Sequence, residues 1–235
     1  MRTNAMDLVL SSVAFKRRSV PRPTDLKFST IQDSYGGDFE ALYSIYSRAL
    51  PARERKSRDA LISMMSRPGY AFSVARSGDR ILGFSIVFIS SSVEMALLEY
   101  MAVDEQMRSS GIGTALFQHA RHQASGVNGS KPILIEVDSD RAEIAEHNVS
   151  ARRKIFYRRL GCREIQGLRY VMPLAGSGPP PAMELLVCGL EGSTISTYRL
   201  REWLQAIYTE VYGCSAGDVR IQRMLSGKGH SFTVS

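Results

Sequence analysis

The hydrophobic pattern of this chain switches several times between the helical period and the strand period. Residues 38–66 carry apolar side chains three and four positions apart, which predicts two helices. Residues 70–103 carry three apolar blocks separated by turn residues, which predicts three antiparallel strands. A helix over 114–124, a short strand over 133–137 and a basic amphipathic helix over 151–160 follow.

Further segments flank this alternation. A short strand starts near Leu26, residues 183–187 predict one more strand, and residues 198–212 predict a helix with one apolar face. Few apolar anchors follow Gly213, so we expect a loosely held tail. This order of elements predicts an α/β fold, a mixed sheet with helices on both faces.

Composition narrows the class of protein. The chain has 235 residues, of which 44% are hydrophobic, enough for one large domain or one domain with an added part. Apolar runs stay well short of the roughly 20 residues of a membrane span. Cys162, Cys188 and Cys214 are too scattered for a disulfide framework or a zinc site. We therefore expect a cytoplasmic protein whose thiols are reduced, which binds no metal and does not associate with a membrane.

The positive charge is unevenly spread. The net charge is +7, with +4 carried by residues 1–27 and +6 by residues 152–169. The concentration of positive charge in one internal segment favours a local anion-binding site over an extended nucleic-acid-binding surface. We therefore do not expect nucleic acid as a partner. Lys16-Arg17-Arg18 precedes two prolines, and we predict a flexible basic arm over residues 1–25.

The stretch from Leu98 to Phe117 carries the most information on chemistry. A strand feeds a loop whose last residues open a helix. Gly111 and Gly113 let the backbone turn tightly, and the free N–H groups at a helix start favour a phosphate or pyrophosphate. Arg108 adds a fixed positive charge.

Three families of phosphate-binding loop compete for this stretch. A Walker loop needs Lys where Thr114 follows Gly113, and a Rossmann turn needs a third glycine where Leu116 stands. Asp138, after the next strand, keeps the Rossmann interpretation open as a weak alternative. The spacing Arg108-x-x-Gly111-x-Gly113 is similar to the Arg/Gln-x-x-Gly-x-Gly/Ala signature of the GNAT superfamily of acyl-CoA-dependent N-acetyltransferases.

A second segment supports this resemblance. Tyr157-x-x-x-Gly161-Cys162 resembles the Tyr-x-x-x-Gly-Phe segment of the same family, with Cys162 in place of the usual Phe. The resemblance implies an acetyltransferase domain over residues 26–190, with residues 191–235 packed on it or extending it. It also implies a splayed, mostly antiparallel sheet, in which the strands at 94–103 and 133–137 part.

The resemblance implies that pantetheine lies between the parted strands and bonds to their main chain. It places coenzyme A against two groups of residues. These are Met101, Ala102 and Val103 in the strand, and Arg108, Ser109, Ser110, Gly111, Ile112, Gly113 and Thr114 in the loop.

Two side chains are candidates for proton transfer. Tyr157 falls on the family's Tyr and would protonate the departing thiolate, although a core aromatic fits the pattern as well. Glu99 lies in the strand before the loop and would act as a base through water, or else form a salt bridge. Strand alternation puts Glu99 on the face of Met101. Glu54 is a weaker candidate, and a solvated helix charge explains it better.

The resemblance implies transfer of an acetyl group from acetyl-CoA to an amine by direct attack. We expect a small-molecule amine ahead of a protein Lys or N-terminus as acceptor. A non-catalytic module that binds coenzyme A or a protein partner on the same fold is an alternative. A nucleotide-dependent oxidoreductase is another. The sequence leaves the acceptor's identity and the oligomeric state open.

Overall fold

The computed structural model describes residues 25–126, 129–139, 147–173 and 182–235. Apart from residue 25, the predicted basic arm lies outside the described residues.

Within this part of the chain there are twelve strands, some only two residues long. In chain order, β1 to β12 are Lys27–Thr30, Tyr70–Ser77, Arg80–Ile89, Ala96–Val103, Ser125–Gly126, Gly129–Ser130, Ile133–Asp138, Arg163–Glu164, Tyr170–Val171, Ala182–Cys188, Thr194–Ser196 and Ser231–Thr233. Eight of them form the central sheet in the order β1-β2-β3-β4-β7-β10-β8, with β9 also paired to β10.

Six helices cover the two faces of this sheet in the described residues. In chain order, α1 to α6 are Gly37–Ala49, Arg58–Met65, Ile112–Ala124, His147–Arg159, Thr197–Ala206 and Val219–Leu225. α1 and α2 pack on one face beside β2 and β3, and α5 and α6 continue that layer over β4, β7 and β10. α3 and α4 pack on the other face. The predicted mixed sheet with helices on both faces is confirmed.

β4 and β7 are the one parallel pair of neighbours in the described sheet, and they pair only briefly. The register runs through Ala96↔Ile133, Leu97↔Leu134 and Leu98↔Ile135 and then stops. β4 continues to Val103 and remains paired with β3 on its other side. The sheet is therefore mostly antiparallel and split at its centre, as predicted.

A β-bulge lies at the point where the split opens. The β3–β4 register passes from Val87↔Leu98 to Ile86↔Tyr100, so Glu99 has no partner residue on β3. A bulge adds one residue to a strand and shifts the alternation of every side chain beyond it.

The C-terminal segment is well anchored, so the predicted loose tail after Gly213 is wrong. Buried residues of α6 and β12 join the largest core cluster, together with Trp203 and Leu204 of α5. β12 pairs with β11, and the Ser235 N–H and C=O bond to the C=O and N–H of Glu164. The anchors were missed because they lie in two short elements separated by polar turns. No helix in the described parts of the chain combines the length and the apolar character that a membrane span requires.

Candidate functional site

The two strands that part at the centre of the sheet each carry an acidic side chain just beyond the split. Leu97 and Leu134 form a register pair and are buried in one core cluster. Glu136 lies two positions beyond Leu134 and therefore shares its face. Glu99 lies two positions beyond Leu97 and contacts Tyr70, which also packs on this face. The opening of the split is thus flanked by two carboxyl groups.

Tyr157 lies on the opposite face, in the core formed by α3, α4 and the sheet. Its ring packs edge-to-face on Phe117 and on Phe156, with centroid distances of 5.4 Å and 5.1 Å. Burial raises the pKa of its hydroxyl, so the phenol keeps its proton at neutral pH. Met101 packs against the same cluster. Tyr157 and this part of β4 therefore share one side of the gap.

The loop after β4 ends in a helix start that has no side-chain cap. A 3-10 turn, Glu105–Met107, begins it, and the Asp104 carboxylate accepts a hydrogen bond from the Gln106 N–H at 3.0 Å. Gly111, the residue before α3, has φ 84° and makes no side-chain cap hydrogen bond. This left-handed conformation favours glycine. The first N–H groups of α3 are left without a capping side chain, as an anion-binding helix start requires.

Buried side chains anchor this loop from below. Met107 and Ile112 are buried beside Leu116, so Ile112 can meet a ligand only through its main chain. Arg108 and Ser109 are exposed. The predicted loop residues from Arg108 to Thr114 thus run from the end of the 3-10 turn into the first turn of α3.

Gly113 lies between the end of β4 and α4. A methyl group there would be 3.5 Å from Cζ of Phe156 and 3.7 Å from Cγ2 of Val103, which are ordinary contacts. The fold therefore tolerates a methyl group at Gly113. The loop, the end of β4 and α4 border the same opening, next to the split.

Glu99 is held by an ion pair and a hydrogen bond. The Lys56 ammonium lies 3.2 Å from Oε1, and the Tyr70 hydroxyl donates to Oε2 at 2.9 Å. The lysine contact is purely ionic, because Oε1 has no hydrogen-bond partner within the described residues. The prediction that Glu99 shares a face with Met101 is wrong: the bulge turns Met101 toward α3 and Tyr100 toward α1.

Glu136 is a site residue that the sequence reasoning missed. Its Oε2 accepts a hydrogen bond from the Tyr212 hydroxyl at 2.6 Å, and its Oε1 accepts one from the Tyr170 hydroxyl. Burial raises the pKa of this carboxyl from 4.5 to about 7, and the charge of Glu99 adds to the increase. The two phenols and Lys56 act in the opposite direction. The residue as a whole is partly exposed at the opening of the split, while its carboxyl group is enclosed by the two phenols.

Lys56 links the two carboxyl groups into one network. Its ammonium pairs with Glu99 and also lies 5.6 Å from the centre of the Tyr212 ring. Tyr212 in turn bonds Glu136. The side chains come from the segment before α2, from β4, from β7 and from the C-terminal segment. A signal for Glu136 was present: it is the one acid inside the apolar run Ile133–Val137, where a carboxylate is costly unless it is paired or functional.

Three further polar residues, among them the weaker candidate Glu54, lie away from the split or in surroundings that explain them. His119 stacks on Phe28 with ring centroids 4.6 Å apart. Lys154, in the basic helix, is buried in ion pairs with Glu164, at 3.0 Å, and with Glu184. Glu54 lies in a 3-10 turn. The described part of the chain contains no group of His, Cys, Asp and Glu that could hold a metal ion.

Comparisons with known proteins identify the type of domain. Residues 68–164 match the model of the acetyltransferase (GNAT) domain. A protein from Bacteroides thetaiotaomicron described as an acetyltransferase of the GNAT family superimposes with a TM-score of 0.64 at 21% identity, covering 80% of this chain and 99% of its own. No curated protein sequence matches the chain significantly.

Two further solved structures have names that state a reaction. An aminoglycoside 6′-N-acetyltransferase complexed with coenzyme A gives a TM-score of 0.53 at 16% identity, covering 69% of this chain and 96% of its own. The ribosomal-protein-S18-alanine N-acetyltransferase of Escherichia coli gives 0.51 at 19% identity, covering 71% and 96%. At these low sequence identities, the structural similarity establishes the fold and not the reaction.

The raised pKa of Glu136 predicts a pH-dependent stability. The unfolded chain loses this proton near pH 4.5 and the folded chain near pH 7, so the contribution of Glu136 to the free energy of unfolding falls as the pH rises between these values. Glu136→Gln removes this dependence. Its free energy of unfolding relative to wild type should therefore rise by up to about 3 kcal/mol between pH 4.5 and pH 8.

Denaturant unfolding of both proteins across this range measures the difference. Glu191→Gln makes the same chemical change on an exposed side chain and should give a flat difference. A flat difference for Glu136→Gln as well would contradict the raised pKa.

Proposed function

From the match of residues 68–164 to the acetyltransferase (GNAT) domain we infer that this chain is an acyltransferase. We propose that it moves an acetyl group from acetyl-CoA to a small-molecule amine. The single observation that carries the proposal is the split between β4 and β7, with the uncapped loop at one end and two carboxyl groups at its opening. We also propose the cytoplasm as its compartment, since its three cysteines are free thiols.

The donor fits the side of the split that faces α3 and α4. Met101, Ala102 and Val103 lie beyond the last pair with β7, so their main chain on that side can bond pantetheine as an added strand would. The N–H groups from Arg108 to Thr114 would hold the pyrophosphate at the start of α3. The coenzyme A complex of the aminoglycoside acetyltransferase, which has a similar fold, supports this donor.

The reaction then needs no acyl-enzyme. The acceptor's ammonium loses a proton to a base, and its nitrogen forms a bond to the acetyl carbon. The C–S bond breaks, and the thiolate leaves with the bonding electron pair and takes up the second proton that the nitrogen loses as the amide forms. Tyr157 would donate a hydrogen bond to the thiolate. Its raised pKa makes complete proton transfer uphill, so stabilisation of the developing charge is its main contribution.

The acceptor would enter from the opposite face, where Glu99 and Glu136 lie. Glu99 has a side chain only 4% exposed, and the carboxyl groups are surrounded by Tyr70, Tyr170 and Tyr212. Such an enclosed, acidic end suits a small cationic amine better than the side chain of a folded protein. A protein N-terminus is the alternative, because the Escherichia coli protein of similar fold acts on a ribosomal protein.

An acceptor screen tests the proposal. The full chain is incubated with acetyl-CoA and with panels of small amines and of peptides, and the released thiol is measured. We expect release with members of the amine panel. Release with peptides alone would favour the protein acceptor. Tight coenzyme A binding without release in either panel would favour a non-catalytic binding module.

Gly113→Asp should abolish binding of coenzyme A. An acid in the first turn of a helix stabilises the helix, and a Cβ at this position makes only ordinary contacts, so we expect the protein to stay folded, which its circular dichroism checks. The new carboxylate would nevertheless repel the phosphates and occupy their N–H donors. Gly113→Ala adds the methyl group without the charge and should bind much more tightly than Gly113→Asp. Calorimetry with coenzyme A measures both, and equal affinities for wild type and Gly113→Asp would exclude this site.

Tyr157→Phe should lower kcat by about 10²-fold near neutral pH, the lower end of the usual range for acid–base groups, because a thiol leaves easily. The ring stays packed on Phe117 and Phe156, so the fold and the affinity for coenzyme A should persist. Tyr198→Phe makes the same change on a side chain of an exposed residue and is the control. An unchanged kcat for Tyr157→Phe, with chemistry rate-limiting, would leave Tyr157 as a core aromatic only.

A further inference from the structure

We propose that the side-chain amine of Lys56 is itself an acetyl acceptor, so that the protein acetylates this lysine within the same chain when acetyl-CoA is bound and no external amine is present. The inference rests on the proposed function, because it uses the same donor and the same opening of the split. It adds a modification site to the chain, and this site lies outside the residues 68–164 that match the family model.

The amine of Lys56 lies where the proposed reaction requires the amine of an acceptor. Its nitrogen is 3.2 Å from Oε1 of Glu99, the residue at the bulge of β4. Glu99 comes one residue after Leu98, where the pairing of β4 with β7 ends, and two residues before Met101, where the strand segment assigned to pantetheine begins. The amine is therefore held at the opening of the split, beside the strand along which the thioester would lie.

The contacts of Lys56 fix its main chain and leave its side chain room to move. Its main-chain N–H donates to the Tyr46 hydroxyl at 2.7 Å. Its ammonium contacts the Glu99 carboxylate through charge alone and lies 5.6 Å from the centre of the Tyr212 ring. The side chain is 30% exposed. Because a lysine carries its amine on a flexible four-carbon stem, the nitrogen can move from Glu99 to a thioester while the main chain stays in place.

The other lysines of the described part of the chain lie away from the split. Lys27 is exposed in β1, the edge strand of the sheet, and Lys228 is exposed after α6. Lys131 donates to a main-chain carbonyl group at 2.7 Å, and Lys154 is buried in its ion pairs in α4. The whole sequence has six lysines, so the acetylation of each one can be followed separately.

The proposed step has the same balance of atoms as transfer to an external amine. The Lys56 ammonium loses one proton to solvent, and its nitrogen forms a bond to the acetyl carbon. The C–S bond breaks, and the thiolate leaves with the bonding electrons and takes up the second proton that the nitrogen loses. The products are coenzyme A and an amide on Lys56, and no further reactant is needed.

This acetylation would close the site to external amines. The amide has no charge, so it cannot replace the ammonium beside Glu99, whose side chain is only 4% exposed. The acetyl group would also occupy the opening through which the proposed acceptor enters. Protein acetylated on Lys56 should therefore lose most of its kcat/KM for an external amine, and its activity would fall when acetyl-CoA is abundant and the acceptor is scarce.

The test is incubation of the full chain with saturating acetyl-CoA and no added amine, followed by mass spectrometry of its peptides. We expect one acetyl group per chain, on Lys56, formed with a rate constant that does not change when the protein is diluted. An amine held beside a bound thioester reacts faster than the same amine free in solution. Acetylation of Lys56 should therefore be faster than that of Lys27 and Lys228 by about 10²-fold or more.

Three variants separate this step from chemical acetylation by acetyl-CoA. Gly113→Asp, designed to lose coenzyme A binding, should reduce the acetylation of Lys56 to the level of the exposed lysines. Lys56→Arg keeps a positive charge beside Glu99 but replaces the amine with a guanidinium, so this chain should stay unmodified. Lys228→Arg makes the same change on an exposed side chain and should be acetylated on Lys56 at the wild-type rate.

The outcomes distinguish the inference from the proposed function. Equal acetylation of Lys56 and the exposed lysines, or a rate constant that rises with protein concentration, would overturn the inference. Thiol release with external amines from a wild type that leaves Lys56 unmodified would also overturn it, and the proposed function would stand. Acetylation of Lys56 without turnover of any small amine would support the inference and overturn the small-molecule acceptor. Bound acetyl-CoA with neither reaction would overturn both.

Discussion

The early end of the β4–β7 pairing is the constraint on which the rest of this structure depends. Three register pairs join the strands, and beyond them β4 continues to Val103 paired only with β3, and β7 continues to Asp138 paired only with β10. Main-chain N–H and C=O groups near a core are costly when unpaired. In a gap of this kind, an extended ligand can therefore form hydrogen bonds with main-chain groups that have no partner strand on that side. The proposed donor site uses this property.

The bulge at Glu99 decides what each side of the gap contains. If the strand alternated regularly through Glu99, Met101 would face α1 and α2, and Tyr100 would face α3. With the bulge, the apolar Met101 lines the side of Tyr157, and the other side keeps the polar groups of Glu99 and Tyr70. The bulge thus places Met101 on the apolar side, opposite the two carboxyl groups. In the proposed reaction the amine would lie on the acidic side and the thioester sulfur on the side of Tyr157.

The sequence predicted the parts of this site that depend on local chain geometry. The loop from Arg108 to Thr114 and the helix with Tyr157 follow from glycine spacing and helical periodicity, and the element order followed from hydrophobic pattern. The bulge could not be predicted, because it depends on how β4 pairs with β3. Glu136 was missed because its partner Tyr212 is 76 residues away in the sequence, and only the packed C-terminal segment brings them together.

Tyr212 also shows that part of the acidic end lies far from the donor residues along the chain. The residues assigned to the donor lie between β4 and α4, whereas the phenols that bond Glu136 come from β9 and from the segment after α5. Substitutions after residue 164 can therefore reshape the acidic end while the donor loop stays intact. Such a division lets acceptor preference diverge among related chains without loss of the common donor, and it identifies residues 207–213 as a segment to vary in directed evolution.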